Sequence, residues 1–347
     1  NMAEKDVEIL LEAVLKNATE TNGRPVNSVG RAGVDYYNTL GYVPYNVGIN
    51  ENAARTLEYA FADFTIAKMA NKLGDIELYD TYIKKSLNYK NLFDASTNLM
   101  RGKNEDGNFQ TPFNPLKWGD AFTEGNSLHY TWSVFHDTQG LIDLMGGNNY
   151  FVAKLDEVFE MPPDFDASYY GFTIHEIREM QIANMGNYAH GNQPIQHMIY
   201  LYNHANASYK AQEKVREVLT KLYSATPDGY CGDEDNGQTS AWYVFSSLGF
   251  YPVTPSVNEY VIGSPLFKKA TLSLKNGNTF DILTTDNSKD HVFIESTSLN
   301  GKPWNNSFIN FEDIQSGGSI EFNMSAKPNK KWANGMKNTP YSLSKIK

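Results

Sequence analysis

Cysteine is nearly missing from this sequence, which has one, Cys231, among 347 residues. A single cysteine cannot form a disulfide within the chain, and it cannot build a zinc site from several thiolates. The cysteine count therefore excludes a disulfide-stapled scaffold and leaves the redox compartment undecided.

Clusters of basic residues and long apolar runs are also lacking. Lys and Arg together number 30 against 40 Asp and Glu, so the formal net charge is −10. Nucleic-acid binding depends on clustered positive charge, so we expect no nucleic-acid partner. No run approaches the roughly 18 apolar residues that span a bilayer, and the first residues lack a basic-then-apolar leader. We therefore expect no transmembrane segment.

Three kinds of functional motif are missing too. There is no G-x-S-x-G turn for a serine nucleophile, and no glycine-rich loop of the kinds that bind nucleotide phosphates. An EF-hand starting at Asp233 would need oxygen ligands at its fifth and twelfth positions, where the sequence has Gly237 and Val244. Any metal must therefore draw its ligands from several segments.

Aromatic residues, in contrast, are abundant. The chain has 22 Tyr, 19 Phe and 5 Trp, which together make up 13% of its residues. Such rings serve as stacking platforms in carbohydrate sites, but they fill apolar cores more often. Composition alone leaves both interpretations open.

Hydrophobic periodicity changes along the chain from a helical to a strand-like pattern. After Asn50, apolar residues recur about every 3.6 residues, which predicts a helix with Asn50 as N-cap and a stop at Gly74. Beyond Pro252, runs such as EYVIGS and SIEFNMS alternate as strands, and LKNGNTF predicts a hairpin turn. Further helices are predicted at 4–17, 29–39, 76–93, 127–144, 149–159, 194–205, 208–222 and 238–248.

This pattern predicts a mainly α protein with a β module. We expect a helical domain over residues 1–255 and an antiparallel β module over residues 256–347. Helices joined by long Gly-, Asn- and Pro-rich loops favour a helical toroid over a tight bundle. Loops of that length in a compact domain are usually functional, and the candidate residues lie in them.

Three adjacent carboxyl groups follow a glycine in the segment GDEDNG. Asp233, Glu234 and Asp235 repel one another unless solvent, a bound cation or a division of roles compensates. A bland acidic turn is the ordinary explanation. The segment leads directly into an apolar helix, however, and this position near a core favours functional carboxylates.

Glu124 is a second candidate, in the segment WGDAFTEGNSLHYTW. Its aromatic neighbours and the adjacent glycine could desolvate the carboxyl group and keep it protonated, as a general acid requires. The alternative is that Glu124 only caps the helix that begins near Asn126.

A third segment, AHGNQPIQH, carries polar side chains at the start of a helix. The amide oxygens of Asn192 and Gln193 suit a hard cation such as Ca²⁺, which takes six to eight oxygen ligands. His197 and His204 lie two turns apart on this predicted helix, where packing or capping is the commoner role of a histidine.

Several of these segments together resemble one known family. The motifs MRGKNEDGNF, FTEGNSLHYTWSVFHD, HGNQPIQHMIYLYN and GDEDNGQTSAWYVFSSLGFYPV occur in the order found in glycoside hydrolase family 92, the calcium-dependent exo-α-mannosidases. The resemblance runs from about residue 30 to 275. It implies an (α/α)₆ toroid as catalytic domain and removal of terminal α-linked mannose from glycans with inversion. We expect the toroid to be incomplete at its N-terminal side, because about nine or ten helices are predicted where a closed toroid needs twelve, and we expect a β-sandwich-like module to follow it.

The resemblance also implies roles for individual residues. Glu124 would be the general acid, and Asp233 and Asp235 would flank the attacking water as the base. Inversion requires acid and base to stand about 6.5–9.5 Å apart, which suits carboxyl groups on different loops. Calcium would chelate O2 and O3 of mannose. The expected metal ligands are Asn192, Gln193 and Asp235, and the expected substrate-binding residues are Asp120, Trp132, His190 and Gln193.

Two departures from the family pattern limit what the resemblance implies. Gly191 follows His190, where members similar to α-1,2-mannosidases carry an acidic residue, so 1,2, 1,3, 1,4 and 1,6 linkages all stay open. Family members also carry an N-terminal β-sandwich, and this chain starts in a predicted helix. We therefore expect the C-terminal part of a larger periplasmic or extracellular bacterial enzyme, and poor turnover by this part alone.

Other classes of function remain open from the residues themselves. A non-catalytic carbohydrate-binding protein would explain the aromatic residues without chemistry. A polysaccharide lyase on a similar toroid would need a Tyr or His base beside an arginine, and only Arg101 and Arg178 lie near the candidate loops.

Overall fold

The computed structural model describes residues 4–20 and 30–345, and it forms two compact units. The first unit comprises residues 1–136 and 164–174, and the second comprises residues 137–163 and 175–347, as far as these are described. Within the described ranges, no helix combines the length and apolar character needed to cross a membrane.

The first unit is mainly helical. Its longest helix, α3, buries an alternating set of small and large apolar side chains, including Ala60, Phe64 and Ala67. The helices are α1 (Glu4–Thr19), α2 (Val34–Leu40), α3 (Asn52–Leu73), α4 (Ile76–Lys85) and α5 (Ser127–Tyr130), with a hairpin of β1 (Phe93–Asp94) and β2 (Leu99–Met100).

The end of α3 is as predicted, but its start is not. Gly74 adopts a left-handed conformation, φ +80°, and its N–H donates to the carbonyls of Ala70 and Asn71, which terminates the helix. The N-cap is Glu51, also left-handed at φ +58°, so the prediction of Asn50 as N-cap is wrong. The Glu51 N–H donates instead to the Asp120 carbonyl at 2.7 Å.

The second unit contains both helices and strands. Its helices are α6 (Thr138–Leu144), α7 (Asn148–Glu160), α8 (His175–Ala183), α9 (Ser208–Lys221), α10 (Gln238–Leu248) and α11 (Phe311–Gln315). The strands are β3 (Phe250–Tyr251), β4 (Glu259–Ile262), β5 (Lys269–Ser273), β6 (Thr279–Thr285), β7 (Phe293–Leu299), β8 (Lys302–Pro303), β9 (Phe308–Asn310) and β10 (Gly318–Ser325).

Several predicted helices are shorter than expected. The helix predicted at 127–144 divides into α5 and α6, because Asp137 adopts an extended φ of −142° and caps α6 by accepting the Gly140 N–H at 3.2 Å. The helix predicted at 194–205 consists of 3₁₀ turns at Gln193–Ile195 and Met198–Asn203. The helix predicted at 29–39 begins at Val34, after left-handed Gly33, and residue 29 lies outside the described residues.

The β strands of the second unit form a five-stranded and a three-stranded sheet. The order of the first is β5-β6-β10-β7-β8, and the predicted hairpin between β5 and β6 is confirmed as an antiparallel pair. β10 pairs antiparallel with β7 but parallel with β6, so the prediction of a purely antiparallel module is wrong. A strand inserted between two neighbours that run in opposite directions must be parallel to one of them.

The core of the β module follows from strand alternation. Ile320 of β10 stands opposite Ile282 on one side and Leu299 on the other, and all three side chains are buried. The change from helices to strands occurs at Phe250, near the predicted residue 255, but the limits of the two compact units lie elsewhere. The division into a helical domain over residues 1–255 and a β module over residues 256–347 stays a prediction.

Candidate active site

The three carboxyl groups of the acidic turn, residues 233–235 of the second unit, have two different environments. Glu234 serves the start of α10: its Oε2 accepts the Gly237 N–H at 2.9 Å, and its Oε1 accepts the Ser240 N–H at 3.4 Å. The hydrogen bond with Ser240, together with that from Gly237, lowers the pKa of the Glu234 carboxyl. Asp233 and Asp235 are left exposed.

The backbone of this turn is unusual. Asp235, Asn236 and Gly237 are left-handed in succession, at φ +49°, +57° and +97°. Asp and Asn tolerate this conformation better than most residues, but each non-glycine residue still costs roughly 1–2 kcal/mol. Such strain is commonly stored at functional sites, which makes the turn a candidate on structural grounds.

A second loop, residues 190–193, lies directly against the acidic turn. Gln193 Nε2 donates to the Asp233 carbonyl at 3.2 Å, and the Thr239 hydroxyl donates to the same oxygen at 2.9 Å. The Gln196 amide in turn contacts the Thr239 hydroxyl at 3.1 Å and the His190 carbonyl at 3.3 Å. The structure therefore brings Gln193 and the Asp233–Asp235 turn together, as the assignment of both to one site requires.

His190 is built into the aromatic core below this loop. It is fully buried, and its Nδ1 and Nε2 pair with the hydroxyls of Tyr188 at 2.7 Å and Tyr223 at 2.8 Å. Burial lowers the pKa of His190 to about 3, so the ring is neutral near pH 7. Both ring nitrogens are thus engaged by tyrosines, and the predicted contact of His190 with substrate stays a prediction.

Two glycines let the loops cross at close range. A methyl group added to Gly232 would lie 2.5 Å from the Cα of Gly191, and one added to Gly191 would lie 2.7 Å from Glu179 Oε2. Only glycine can occupy both positions without moving the backbone. The close crossing fixes Asp233 relative to the residues that follow His190.

Glu179 and His175, both on α8, were missed by the sequence analysis. His175 Nδ1 pairs with Glu179 Oε1 at 3.0 Å, while His175 Nε2 lies 3.3 Å from Glu176 Oε1 and 3.9 Å from Asp233 Oδ2. The hydrogen bond with Glu179 raises the pKa of His175. Burial raises the pKa of Glu179 in spite of this bond. The sequence signal was the i, i+4 spacing of His175 and Glu179, in a segment predicted as a loop.

The oxygen atoms of the two loops can be compared with the ligands that the expected calcium ion requires. Among the described residues, no group of three or more His, Cys, Asp or Glu side chains is placed to hold a metal ion. The two loops instead offer the side-chain amides of Asn192 and Gln193, backbone carbonyls and the exposed carboxyl group of Asp235. Oxygen donors of this kind fit a hard cation such as Ca²⁺.

Glu124 lies in the first unit on a turn closed by backbone hydrogen bonds. The Gly119 N–H donates to the Gly125 carbonyl at 2.9 Å, and Glu124 itself is left-handed at φ +44°. The side chain is exposed, so the expected desolvation by aromatic neighbours is not observed in this chain. Nor does Glu124 cap α5, because Asn126 does so in a capping box with His129.

The other candidates of the first unit have protein partners. Asp120 Oδ2 accepts from the Tyr45 hydroxyl at 2.8 Å and from Lys117 Nζ at 2.7 Å. Burial, followed by the bond to Asp120, raises the pKa of Tyr45 to about 12. Trp132 is fully buried, with its indole N–H donating to the Leu128 carbonyl at 2.7 Å. Contact of Asp120 or Trp132 with a sugar stays a prediction.

Glycoside hydrolases typically use two carboxyl groups, and this chain carries exposed carboxyl groups on two separate turns. Residues 1–326 match the model of the glycosyl hydrolase family 92 catalytic domain, and the chain belongs to this family.

Known relatives agree with this membership. The chain resembles the solved structure of a family 92 inverting mannosidase of Bacteroides thetaiotaomicron, with 46% identity and a TM-score of 0.88 over 98% of this chain and 46% of that one. A family 92 α-mannosidase of the same organism shows 35% identity and a TM-score of 0.85 over 97% and 42%. An uncharacterized secreted glycosidase of Arthroderma benhamiae is 26% identical over 97% and 44%. The chain thus spans less than half the length of these relatives.

Proposed function

We propose that this chain provides the catalytic carboxyl groups of an exo-acting α-mannosidase that hydrolyses terminal α-linked mannose with inversion. The observation that carries the proposal is the acidic turn, in which Glu234 is committed to α10 while Asp233 and Asp235 stay exposed, Asp235 on left-handed backbone. Family membership and the inverting mannosidase among its relatives support the same activity.

The proposed roles follow from the chemistry of inversion. Glu124 donates a proton to the glycosidic oxygen as its bond to the mannose C1 breaks. Asp233 and Asp235 flank a water, and one of them accepts its proton as the water oxygen bonds to C1 from the opposite face. Gln193 holds the Asp233 carbonyl, and His190 supports this loop from the core. Substrate contacts by Asp120, His190, Gln193 and Trp132 are part of the proposal.

Asn192, Gln193 and Asp235 would hold calcium. Held there, Ca²⁺ would supply positive charge to which the O2 and O3 hydroxyls of mannose could bind, and this charge would favour a flattened ring. The (α/α)₆ arrangement, a sandwich-like form of the β module and an N-terminal β-sandwich partner belong to the same proposal. So does a periplasmic or extracellular location, which the secreted Arthroderma relative supports.

The test is mannose release from 1,2-, 1,3-, 1,4- and 1,6-linked α-mannobioses, with Ca²⁺ or with EDTA. Both this chain and the longest natural form that contains it are assayed, and proton NMR identifies the first anomer formed. We expect Ca²⁺-dependent release of β-mannose, with the longer form more active. Sugar binding without release by either form would indicate a carbohydrate-binding protein instead.

Glu124→Gln tests the acid directly. We expect a loss of about 10²–10⁴ in kcat on mannobiose, the usual contribution of a general acid. The loss should be much smaller on an aryl mannoside whose leaving group is a weak base, since that group needs no proton. Glu105→Gln, at another exposed glutamate of the first unit, is the matched control. Equal losses on both substrates would contradict the role of Glu124.

A further inference from the structure

A cavity of ≈ 390 Å³ opens in the second unit beside the segment that leads into the acidic turn. Its wall includes Tyr230 and Cys231, and Asp233 follows two residues after Cys231. Glu179 and Ile182 of α8 and Lys221 at the end of α9 also line this cavity. None of the proposed catalytic or calcium-binding side chains lines this cavity.

Two tyrosine rings give the cavity a rigid aromatic wall. The rings of Tyr223 and Tyr230 lie 5.7 Å apart at 78°, in an edge-to-face arrangement. The Tyr223 hydroxyl pairs with His190 Nε2, and the Tyr230 hydroxyl pairs with Ser240 Oγ at 2.8 Å. Their polar ends are thus occupied, yet Tyr230 is 43% exposed and Ile182 is 83% exposed. Apolar surface at this position is available to a ligand.

Negatively and positively charged side chains lie beside this apolar surface. The Asp228 carboxylate makes no hydrogen bond or ion pair within the described part of the chain. Lys221 Nζ donates to the Asn184 carbonyl at 2.9 Å and lies 4.0 Å from Glu217 Oε1, which leaves a donor on the ammonium group for a ligand. The cavity wall therefore offers carboxylate acceptors and an ammonium donor beside aromatic rings.

This combination selects a class of ligand. Glu179 and Asp228 outnumber Lys221, which disfavours a phosphate or another polyanion. A purely apolar ligand would cover the Asp228 carboxylate without offering it a hydrogen bond. A sugar ring has hydroxyl groups that donate to carboxylates and accept from ammonium, and C–H faces that stack on tyrosine. The volume lies within the range of small-molecule sites, about 300–1,000 Å³.

We propose that this cavity is a subsite for a sugar unit of the glycan other than the mannose that is cleaved. This rests on the proposed function, because it takes the glycan substrate from there. Glu179 of the cavity wall pairs with His175, whose other ring nitrogen lies 3.9 Å from Asp233 Oδ2, so one glycan can engage both the subsite and the acidic turn. Recognition at this cavity would make longer glycans better ligands than a single mannose.

The test compares binding of α-mannotriose and methyl α-mannoside to the Glu124→Gln protein, in which loss of the proposed general acid slows hydrolysis. Titration calorimetry measures the two affinities, and circular dichroism checks the fold of each variant. Tyr230→Ala should weaken mannotriose binding at least about fivefold, the scale of one aromatic contact, and leave methyl α-mannoside unaffected. Asp228→Asn should weaken mannotriose binding in the same selective way.

Two further variants serve as controls. Tyr230→Phe keeps the ring and should retain most of the affinity, although it removes the hydrogen bond to Ser240. Tyr150→Ala removes an exposed tyrosine of the same unit that does not line the cavity, and it should bind like the parent. Equal mannotriose affinity in Tyr230→Ala, Asp228→Asn and the parent would overturn the subsite, as would the absence of mannotriose binding.

The outcomes also separate the subsite from the proposed function. Mannose release by the unmutated chain without Tyr230-dependent binding would refute the subsite and keep the mannosidase. Tyr230-dependent binding without any mannose release would keep the subsite as a binding site and refute the hydrolase.

Discussion

Gly232 occupies a position where the smallest side chain would meet backbone. A Cβ there would lie 2.5 Å from Gly191 Cα, 2.6 Å from the Gly191 carbonyl oxygen and 2.7 Å from Glu179 Oε2. Backbone atoms cannot rotate away as a flexible side chain can, so the two loops would have to separate. An alanine at position 232 should therefore also displace Asp233, the next residue.

We expect Gly232→Ala to lower the free energy of unfolding by about 1–3 kcal/mol, as overpacking usually does. Mannose release should fall more steeply than stability alone explains, because the Asp233 carboxyl moves. Gly107→Ala is the comparison: its Cβ would meet no atom within 4 Å, but its left-handed φ of +86° costs alanine roughly 1–2 kcal/mol, so it should lose stability without a matching loss of mannose release. Thermal unfolding and mannose release measure the two effects. Unchanged release in a folded Gly232→Ala protein would show that the crossing does not position Asp233.

His204 makes stability depend on pH. Burial, with a smaller contribution from the charge of Lys345, lowers the pKa of His204 to about 3, against roughly 6.5 for an unfolded chain. Between these values the unfolded state binds one more proton than the folded state. The contribution of His204 to stability is therefore complete above pH 6.5, and it declines by up to ~1.4 kcal/mol per unit as the pH falls toward 3.

His204→Phe should remove this decline. The free energy of unfolding is measured by denaturant titration at pH 8 and pH 5, with pH 8 as the internal control for the cost of the substitution itself. The difference between variant and parent should shift by about 2 kcal/mol in favour of the variant at pH 5. Parallel pH profiles would mean that His204 is not the group that titrates.

Individual site residues were only partly predictable from the sequence. Asp233 and Asp235 were singled out as a cluster, but the assignment of Glu234 to helix capping needs the left-handed turn that places Gly237 and Ser240 over its carboxyl group. A residue's exposure also depends on distant segments. This is why the aromatic surroundings of Glu124 in sequence did not translate into burial.

The Asp137 carboxylate accepts hydrogen bonds both from helix α6 and from the C-terminal segment, residues 342–344. Asp137 Oδ1 accepts the Gly140 N–H, the Ser342 hydroxyl at 3.0 Å and the Ser344 N–H at 2.7 Å, and Oδ2 accepts the Ser344 hydroxyl at 2.8 Å. The side chain is fully buried. Asp137 thus caps α6 and also anchors the C-terminal segment, which lies about 200 residues later in the sequence.

Asp137→Ala should cost about 3 kcal/mol of stability, more than a simple cap, because several hydrogen bonds to a charged group are lost together. Amide hydrogen exchange should accelerate at both Gly140 and Ser344. Asp75→Ala provides the comparison: this exposed N-cap of α4 accepts one bond, from the Leu78 N–H, and should cost about 1 kcal/mol. Exchange that accelerates at Gly140 alone would indicate that Asp137 does not anchor the C-terminal segment.

Some features of the helices and strands could be predicted from the local sequence alone. The end of α3 at Gly74 and the β5–β6 hairpin could be predicted because a single residue or a single turn determines each of them. The division of α5 from α6 depends on Asp137, a strong N-cap inside a periodic run, and that signal was available in the sequence. The parallel pairing of β10 with β6 was not, since strand order within a sheet is set by contacts far apart along the chain.

At the scale of the whole chain, composition excluded more than it identified. The net charge of −10 and the single cysteine removed whole classes of partner and site, but a helical protein with a β module serves many functions. Motif order supplied the family, and the family match over residues 1–326 confirms it. The compact units could not be anticipated, because they combine segments that are separated in sequence.

The interleaving of the two units has a consequence for synthesis. Residues 137–163 emerge from the ribosome before residues 164–174, yet the earlier segment belongs to the second unit and the later one completes the first. The first unit therefore cannot be finished until a piece of the second has already been made, and no single proteolytic cut separates the two. Folding of this chain during translation should keep the 137–163 segment waiting for partners that are added last.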